Sequence, residues 1–349
     1  MKTFARLALI MLFTVAAVIG AVPAEAQDIG ELFRKVSPSV VVIRAKGRDV
    51  GSGGRGVTVF SEIGSGVLIS ADGKVMTAAH VVHAMDEITV EFLGGDTVGA
   101  RVVASEQAAD LSLLQLDSVP ATAKPARLGN SDVVRAGDQV IVVGAPYGLA
   151  YSLSVGWISA KYPPNTIFKA MPLAEFIQTT ATINQGNSGG PLFTLAGEVI
   201  GIVSHNISKS GGSEGLGFVV SSNSARQLLL ERRSFWNGLD GVMLSGELAE
   251  IFNLPQPAGY LVKTVAKDSP GWRIGLQGGD RTAVIGGREI VVRGDVILAV
   301  QGIAFGSPDS FSRIRERMSA LRPGHEVTVT ILRAGKITEL KGRVPQTQP

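Results

Sequence analysis

Asn184-Gln185-Gly186-Asn187-Ser188-Gly189-Gly190-Pro191 is the stretch on which the reading of this chain turns. A serine among small residues on a tight turn lets backbone N–H groups approach a carbonyl oxygen, which larger neighbours would prevent. Ser188 is therefore the candidate nucleophile. A serine hydroxyl reacts poorly at neutral pH. It needs an imidazole to take its proton and a carboxylate to fix the imidazole's tautomer and stabilise its cation. Both lie upstream: Thr77-Ala78-Ala79-His80 follows the strand-like run Lys74 to Met76, and Ala109-Asp110 opens the apolar run Leu111 to Leu116. His80 and Asp110 are thus expected at strand ends. The order is His, Asp, Ser, at separations of 30 and 78 residues. Taken singly, His80 reads better as a hydrogen-bonded core histidine and Asp110 as a turn residue. Ser65, in Gly64-Ser65-Gly66, is read as a turn serine, and His83, His205 and His325 as structural or solvent-exposed.

The segments around these residues are short, rich in β-branched side chains and broken by Gly, Asn, Asp and Pro: Ser39 to Ala45, Gly64 to Ser70, Glu87 to Leu93, Asp138 to Gly144 and Glu198 to Ser204. No regular alternation with long amphipathic helices occurs, which favours closed antiparallel barrels over a parallel doubly wound sheet. Gly51 to Gly56 is expected to be a mobile loop. At Ser222 the pattern changes, since Ser-Asn-Ser can cap a helix carrying Ala225, Leu228 and Leu229 and ending near Arg233. A smaller mixed unit follows Leu239, with a short helix at Glu247 to Asn253 and strands at Tyr260 to Val265 and Val296 to Val300. Phe311, Ile314, Met318 and Leu321 share one face of a further helix, and Val327, Val329 and Ile331 alternate as a half-buried strand.

Length and composition set the outer limits. The 349 residues suit about two domains. Gly is frequent at 43 residues, but 45% of positions are hydrophobic, enough for a core and too many for global disorder. Lys plus Arg exceed Asp plus Glu by 33 to 30, a surplus too small to argue for nucleic acid as a partner. The absence of Cys excludes thiol catalysis and disulfides, and four scattered His argue against a metal site, so no cofactor is expected. Residues 1–26 read as a secretory signal: Lys2 and Arg6, then an apolar run from Leu7 to Ala21, then Ala24-Glu25-Ala26 at the cleavage position. The rival reading is an uncleaved membrane anchor.

The Thr-Ala-Ala-His box, the Asp-Leu-Ser-Leu-Leu box and Gly-Asn-Ser-Gly-Gly together resemble the HtrA/Deg branch of chymotrypsin-like serine proteases, and the likeness spans nearly the whole chain after residue 26. It implies a mainly β fold: a chymotrypsin-like double β-barrel, two six-stranded barrels with His80, Asp110 and Ser188 in the cleft between them, followed by a small α+β PDZ domain. The division it implies is a 27–36 N-terminal segment, a 37–235 protease domain and a 239–345 PDZ domain. By the same similarity the N–H groups of Gly186 and Ser188, helped by Asn187, form an oxyanion hole. Asn187 stands where zymogen-type relatives carry Asp, so activation by a new N-terminus is not expected. Loop rearrangement coupled to trimer formation and PDZ occupancy is expected instead.

Specificity is read from the same resemblance. Trypsin-like enzymes place an Asp six residues before the nucleophile, and here that residue is Thr182, which disfavours Lys or Arg at P1 and suggests small aliphatic side chains. Ser204, His205 and Asn206 would pair with extended substrate as an added strand. His205, Asn206 and Thr180 depart from the usual pattern. Leu239-Asp240-Gly241-Val242 resembles the carboxylate-binding loop of PDZ domains, with Asp240 an unusual negative charge there. Residues 281–294 look like an insertion. The implied activity is an exported, periplasmic, ATP-independent endopeptidase for misfolded or unfolded envelope proteins. Its partners would be C-terminal peptides at the PDZ domain and further copies of itself, as a homotrimer or higher oligomer. The alternatives are a peptide-binding chaperone and a membrane-anchored stress-sensing protease with one regulatory substrate.

Overall fold

The computed structural model describes residues 28–50, 57–149, 151–232 and 235–344. The expected signal at 1–26 and the Gly51 to Gly56 loop lie outside them. Helix α1 (Ile29–Val36) starts at Asp28, whose carboxylate accepts the Gly30 and Glu31 N–H groups, and ends with Arg34 and Lys35 against its C-terminal dipole. Its Leu32 and Val36 are buried, and Lys35 Nζ donates to the Ala196 carbonyl at 3.1 Å, so the segment is fastened to the body of the protein.

Six strands follow: β1 (Val40–Val50), β2 (Val57–Leu68), β3 (Lys74–Thr77), β4 (Glu87–Phe92), β5 (Thr97–Glu106) and β6 (Leu111–Leu116). They close in the order β1-β2-β3-β6-β5-β4. The next seven are β7 (Arg127–Leu128), β8 (Gln139–Gly144), β9 (Ser152–Tyr162), β10 (Phe176–Thr179), β11 (Pro191–Thr194), β12 (Glu198–Asn206) and β13 (Gly217–Ser221). Their order is β11-β8-β9-β10-β13-β12-β7, and β11 also pairs with β12, so this sheet closes on itself with β7 appended in parallel.

Strand alternation explains why two barrels need three apolar clusters. Ile43, Leu68, Val75, Val90, Phe92 and Leu114 fill the first barrel. Val140, Ile158, Ile177, Leu192 and Val219 fill the second. The opposite faces, including Val40, Leu111, Ile141, Phe193, Ile202 and Phe218, pack the barrels together. Each such side chain contributes about 1.5–3 kcal/mol on full burial. The expected strands all form. A one-turn helix, α2 (Ala79–Val82), follows β3. The helix expected from Ser222 also forms, as α3 (Ser222–Arg226) continuing in a π-helical turn through Glu231. Its cap is Ser221, whose hydroxyl accepts the Ser224 N–H, so the helix begins at Ser222 itself. Ser222 Oγ instead donates to the Gly129 carbonyl.

The C-terminal unit has β14 (Leu239–Ser245), α4 (Glu247–Ile251), β15 (Ala258–Val265), α5 (Pro270–Arg273), β16 (Arg281–Ile285), β17 (Arg288–Val292), β18 (Val296–Val300), β19 (Ile303–Ala304), α6 (Ser310–Ser319), β20 (Glu326–Arg333) and β21 (Lys336–Arg343). Its sheet runs β14-β15-β18-β20-β21 with β19 on β18. Residues 281–294 contain a separate hairpin of β16 and β17 turning at Gly286-Gly287. On α6, Met318 is buried and Ile314 partly so, whereas Phe311 is exposed and leans on Phe305. Leu239 to Val242 is not a loop. These residues begin edge strand β14 and pair with Val265, Thr264, Val262 and Leu261, with a register slip between Asp240 and Gly241. Gly241 is required there, since a Cβ would collide with the Leu261 carbonyl oxygen.

This unit docks on the first barrel beside the cleft. Trp236 Nε1 donates to the His83 carbonyl at 2.7 Å, and the Lys267 N–H donates to Asp86 at 2.7 Å. Among the described residues no helix is long and apolar enough to cross a membrane.

Candidate active site

His80 lies on α2, directly after β3, and Asp110 sits between a 3-10 turn at Gln107–Ala109 and β6. Asp110 takes φ +53°, a left-handed conformation that Asp tolerates better than most side chains, and this turns its carboxylate back toward α2. The carboxylate accepts the His80 backbone N–H at 3.0 Å and faces His80 Nδ1 at 2.9 and 3.0 Å. It also accepts the Ser204 hydroxyl at 2.5 Å. Desolvation of the imidazole favours its neutral form, but the hydrogen bond and charge of Asp110, with Glu62 adding to them, outweigh it and raise the His80 pKa. The pair fixes Nδ1 as the protonated nitrogen and leaves Nε2 as the base.

The Gln185 to Gly190 turn is held from three sides. The Ser65 hydroxyl donates to the Gly186 carbonyl at 2.7 Å and accepts the Ala145 N–H at 2.9 Å. The Ser188 carbonyl accepts the Ser65 N–H at 2.8 Å, and the Gly189 N–H donates to the Val203 carbonyl at 2.7 Å. Ser65 is therefore not a turn residue: it is a fully buried member of β2 that clamps the turn from behind. Gly186 has φ +98°, and a Cβ there would collide with the Ala145 carbonyl oxygen. The Gln185 carbonyl accepts the Tyr147 N–H at 2.7 Å, so the Gly186 N–H of the same trans peptide points the opposite way. Neither the Gly186 nor the Ser188 amide donates to an acceptor among the described residues.

Asn187 does not join them. Its N–H donates to the Asn184 carbonyl, and its buried side chain turns inward, with Nδ2 3.4 Å from the Thr182 carbonyl. Glycine at 144 leaves room for it, since a Cβ there would meet Asn187 Oδ1. Ser188 Oγ donates to the Ser204 carbonyl at 3.4 Å, and no hydrogen bond joins it to His80 among the described residues. The imidazole–carboxylate pair is assembled, and the Ser188 hydroxyl is turned toward β12.

Thr182 is exposed, with its N–H held by Ser154 Oγ at 2.7 Å. Ser204 is buried on β12, and Asn206 Nδ2 donates to the Gly212 carbonyl. The His205 ring does not face the cleft but packs among Phe168, Phe176 and Phe218, so only its backbone remains for strand pairing. The loop after β12 is organised by Glu214, whose carboxylate accepts from Ser208 Oγ, the Lys209 N–H and both the N–H and Oγ of Ser210. Those donors, led by the Ser210 N–H, hold its pKa down at about 2. The Ser213 N–H donates to Asn184 Oδ1 at 2.9 Å, joining this loop to the segment that leads into the Ser188 turn. Sequence reading misses Ser65 and Glu214. The glycines either side of Ser65 are a signal, but a hydroxyl that bridges residues 80 and 121 positions away has no local signature.

At Leu239 to Val242 the N–H of Leu239 is already taken by Asn237 Oδ1 at 2.9 Å, and the Leu239 carbonyl accepts Gln107 Nε2 at 3.5 Å. Lys263 Nζ lies 3.7 Å from Asp240 and 3.3 Å from Asp49, which answers the unusual negative charge of Asp240. No group of three or more His, Cys, Asp or Glu among the described residues is placed to hold a metal ion.

Comparison with known proteins agrees with this geometry. A trypsin-like peptidase domain model matches residues 64–202. A probable periplasmic serine endoprotease, DegP-like, of Ectopseudomonas mendocina is 34% identical over 295 residues, covering 81% of this chain and 57% of that protein. The periplasmic pH-dependent serine endoprotease DegQ of Escherichia coli is 32% identical, covering 81% of this chain and 59% of that protein. The chain thus spans less than two thirds of the length of these curated relatives. Among solved structures, an HtrA-type protease AlgW with tripeptide is 30% identical, covers 92% of this chain and 97% of its own, and has a TM-score of 0.51. A variant of AlgW with decapeptide has a TM-score of 0.54 at 28% identity, covering 92% of this chain and 98% of its own. With closed barrels on either side of the cleft and these relatives aligned along nearly all of the described residues, the chain belongs to the HtrA-type family of trypsin-like serine proteases.

Proposed function

We propose that this protein is an ATP-independent serine endopeptidase that cleaves unfolded protein chains through an acyl-enzyme on Ser188. The observation that carries the reading is the His80–Asp110 pair at 2.9 Å, set beside a glycine-shaped turn whose Gly186 and Ser188 amides are uncommitted. Ser188 Oγ attacks the scissile carbonyl carbon as His80 Nε2 takes its proton. The two amides receive the oxyanion, and collapse of the tetrahedral intermediate expels the amine with the proton from His80. Water then repeats the sequence on the acyl-enzyme. Each oxyanion donor is worth about 10²–10³ in rate.

The Ser204 carbonyl gives a reason for substrate to complete the site. It is the acceptor that an added strand's N–H would use, and Ser188 Oγ now occupies it. A bound strand takes that acceptor and releases the hydroxyl to His80. Only an extended chain can do so, which favours unfolded substrates. Thr182 offers no charge to a basic P1 side chain, which favours small aliphatic P1 residues.

Relatives named as periplasmic endoproteases support an exported location, with residues 1–26 as the signal. AlgW structures carrying peptides support peptide binding by this chain, and we assign it to the 239–345 unit, which we take as the PDZ domain, after a protease domain of 37–235 and an N-terminal segment of 27–36. Assembly into trimers or larger oligomers is proposed on family membership. The test is cleavage of unfolded casein by wild type and Ser188→Ala: wild type should cut and the variant should be slower by several orders of magnitude, whereas equal slow cleavage by both would remove the reading.

A further inference from the structure

His205 touches the Asp110 end of the site, and the reaction as described gives it no part. Ser204 Oγ lies 2.5 Å from Asp110 Oδ2 and 3.0 Å from His205 Nδ1. An ionised carboxylate only accepts hydrogen bonds, so the single hydroxyl proton of Ser204 goes to Asp110. The oxygen can then only accept from His205, which requires a proton on Nδ1. A neutral imidazole has one N–H, so Nε2 is bare.

The surroundings of Nε2 agree independently. That atom is buried and has no hydrogen-bond partner among the described residues. The ring is packed edge-on against Phe168 at 4.3 Å and Phe176 at 5.6 Å, and stacked on Phe218 at 5.6 Å. The opposite tautomer would face lone pair against lone pair at Ser204 and leave a buried N–H with no acceptor. The cation would bury charge among three apolar rings. Burial prevails to lower the His205 pKa; of the ionisable groups acting on it, Asp110 favours its cation and His80 disfavours it.

We propose that His205 is a positioning residue: as the Nδ1–H tautomer it donates to Ser204 and thereby commits the Ser204 proton to Asp110, extending the relay to His205–Ser204–Asp110–His80. This rests on the serine protease reading above. Without the donor, the Ser204 hydroxyl is held only by its own bond to Asp110, and Asp110 is less firmly oriented toward His80.

Two measurements on the full chain test it. The first is the ¹⁵N spectrum of histidine-labelled protein at neutral pH, with the His205 signals identified by their loss in His205→Asn. A protonated Nδ1 and bare Nε2 are expected, and a protonated Nε2 would overturn the proposal whether or not the protein is active. The second is the rate at which diisopropyl fluorophosphate modifies Ser188 in wild type, His205→Phe and His205→Asn. Phe keeps the aromatic cluster and removes the donor, while Asn places its Nδ2 near the position of Nδ1 and sacrifices packing. The expected order is a fall of about fivefold in His205→Phe, the worth of one hydrogen bond, with most of it recovered in His205→Asn. The reverse order would mean that the ring only fills space and would overturn the proposal. Absence of labelling in wild type would instead count against the protease reading, leaving the tautomer result to decide this one.

Discussion

Ser188 Oγ donates to the carbonyl of Ser204 at 3.4 Å, the acceptor that we propose an incoming substrate strand uses for its own N–H. On that proposal Ser188 and substrate compete for one acceptor, and binding is linked to release of the Ser188 hydroxyl. A peptide substrate whose P1 N–H is replaced by an ester oxygen cannot displace Ser188. Its kcat should fall about tenfold relative to the amide analogue, beyond any change in KM. Steady-state kinetics of the matched pair would show this, and a loss confined to KM would contradict it.

Ser65 holds the oxyanion turn through its bonds to Gly186 and Ala145. Ser65→Ala leaves a buried carbonyl and a buried N–H unpaired, at a cost of about 1–3 kcal/mol each. A fall in kcat of at least about tenfold is expected, with peptide KM little changed. Gly186→Ala should be more damaging, because the added Cβ meets the Ala145 carbonyl at a positive φ. Circular dichroism alongside the kinetics would separate misplacement of the turn from unfolding.

His80 must be neutral to accept a proton, and its pKa is raised through Asp110 against the opposing effect of burial. The acid limb of kcat/KM should therefore have its midpoint above the ordinary histidine value of about 6.5. The linked stability has the matching sign: a raised pKa stabilises the folded state below the unfolded value, and this is lost as pH rises through the folded value. Asp110→Asn should lower kcat by about 10⁴. A wild-type midpoint at or below about 6.5 would contradict the geometry of the pair.

His83 behaves in the opposite sense. Burial pushes its pKa down to about 4, against the opposing pull of its hydrogen bond to Asn237. Its Nε2–H donates to Asn237 Oδ1 at 3.2 Å, which also accepts the Leu239 N–H, and its Nδ1 accepts from Ser105 at 2.6 Å. Between about 6.5 and about 4 the unfolded chain binds more protons at this site, so stability should fall as pH drops through that window. Thermal melts at stepped pH should show a decline that is shallower in His83→Gln. Equal slopes in both proteins would remove His83 as the cause.

The barrels are legible in the sequence because β-branched runs and turn residues recur along the chain, and the runs Val40 to Ile43 and Gln139 to Gly144 mark where buried strands lie. His80, Asp110 and Ser188 are legible because each sits in a short box of small or apolar residues. What escapes depends on distant partners. Ser65 bridges segments far apart in the chain, Glu214 gathers donors from a loop with no apolar pattern, and the His205 ring owes its orientation to Phe168, Phe176 and Phe218 from three other segments. Leu239 to Val242 reads as a loop because it resembles the carboxylate-binding loop of PDZ domains, yet these residues pair with β15 and a register slip absorbs Asp240-Gly241 within β14. Asn187 reads as an oxyanion residue from the family resemblance alone, and its N–H instead goes to the Asn184 carbonyl.

Activation of Ser188 by His80 is tested most directly by intact-mass measurement and peptide mapping after treatment with diisopropyl fluorophosphate. One adduct per chain is expected, on Ser188, formed at a rate that falls by orders of magnitude in His80→Ala. No adduct, an adduct elsewhere, or an unchanged rate in His80→Ala would contradict that activation.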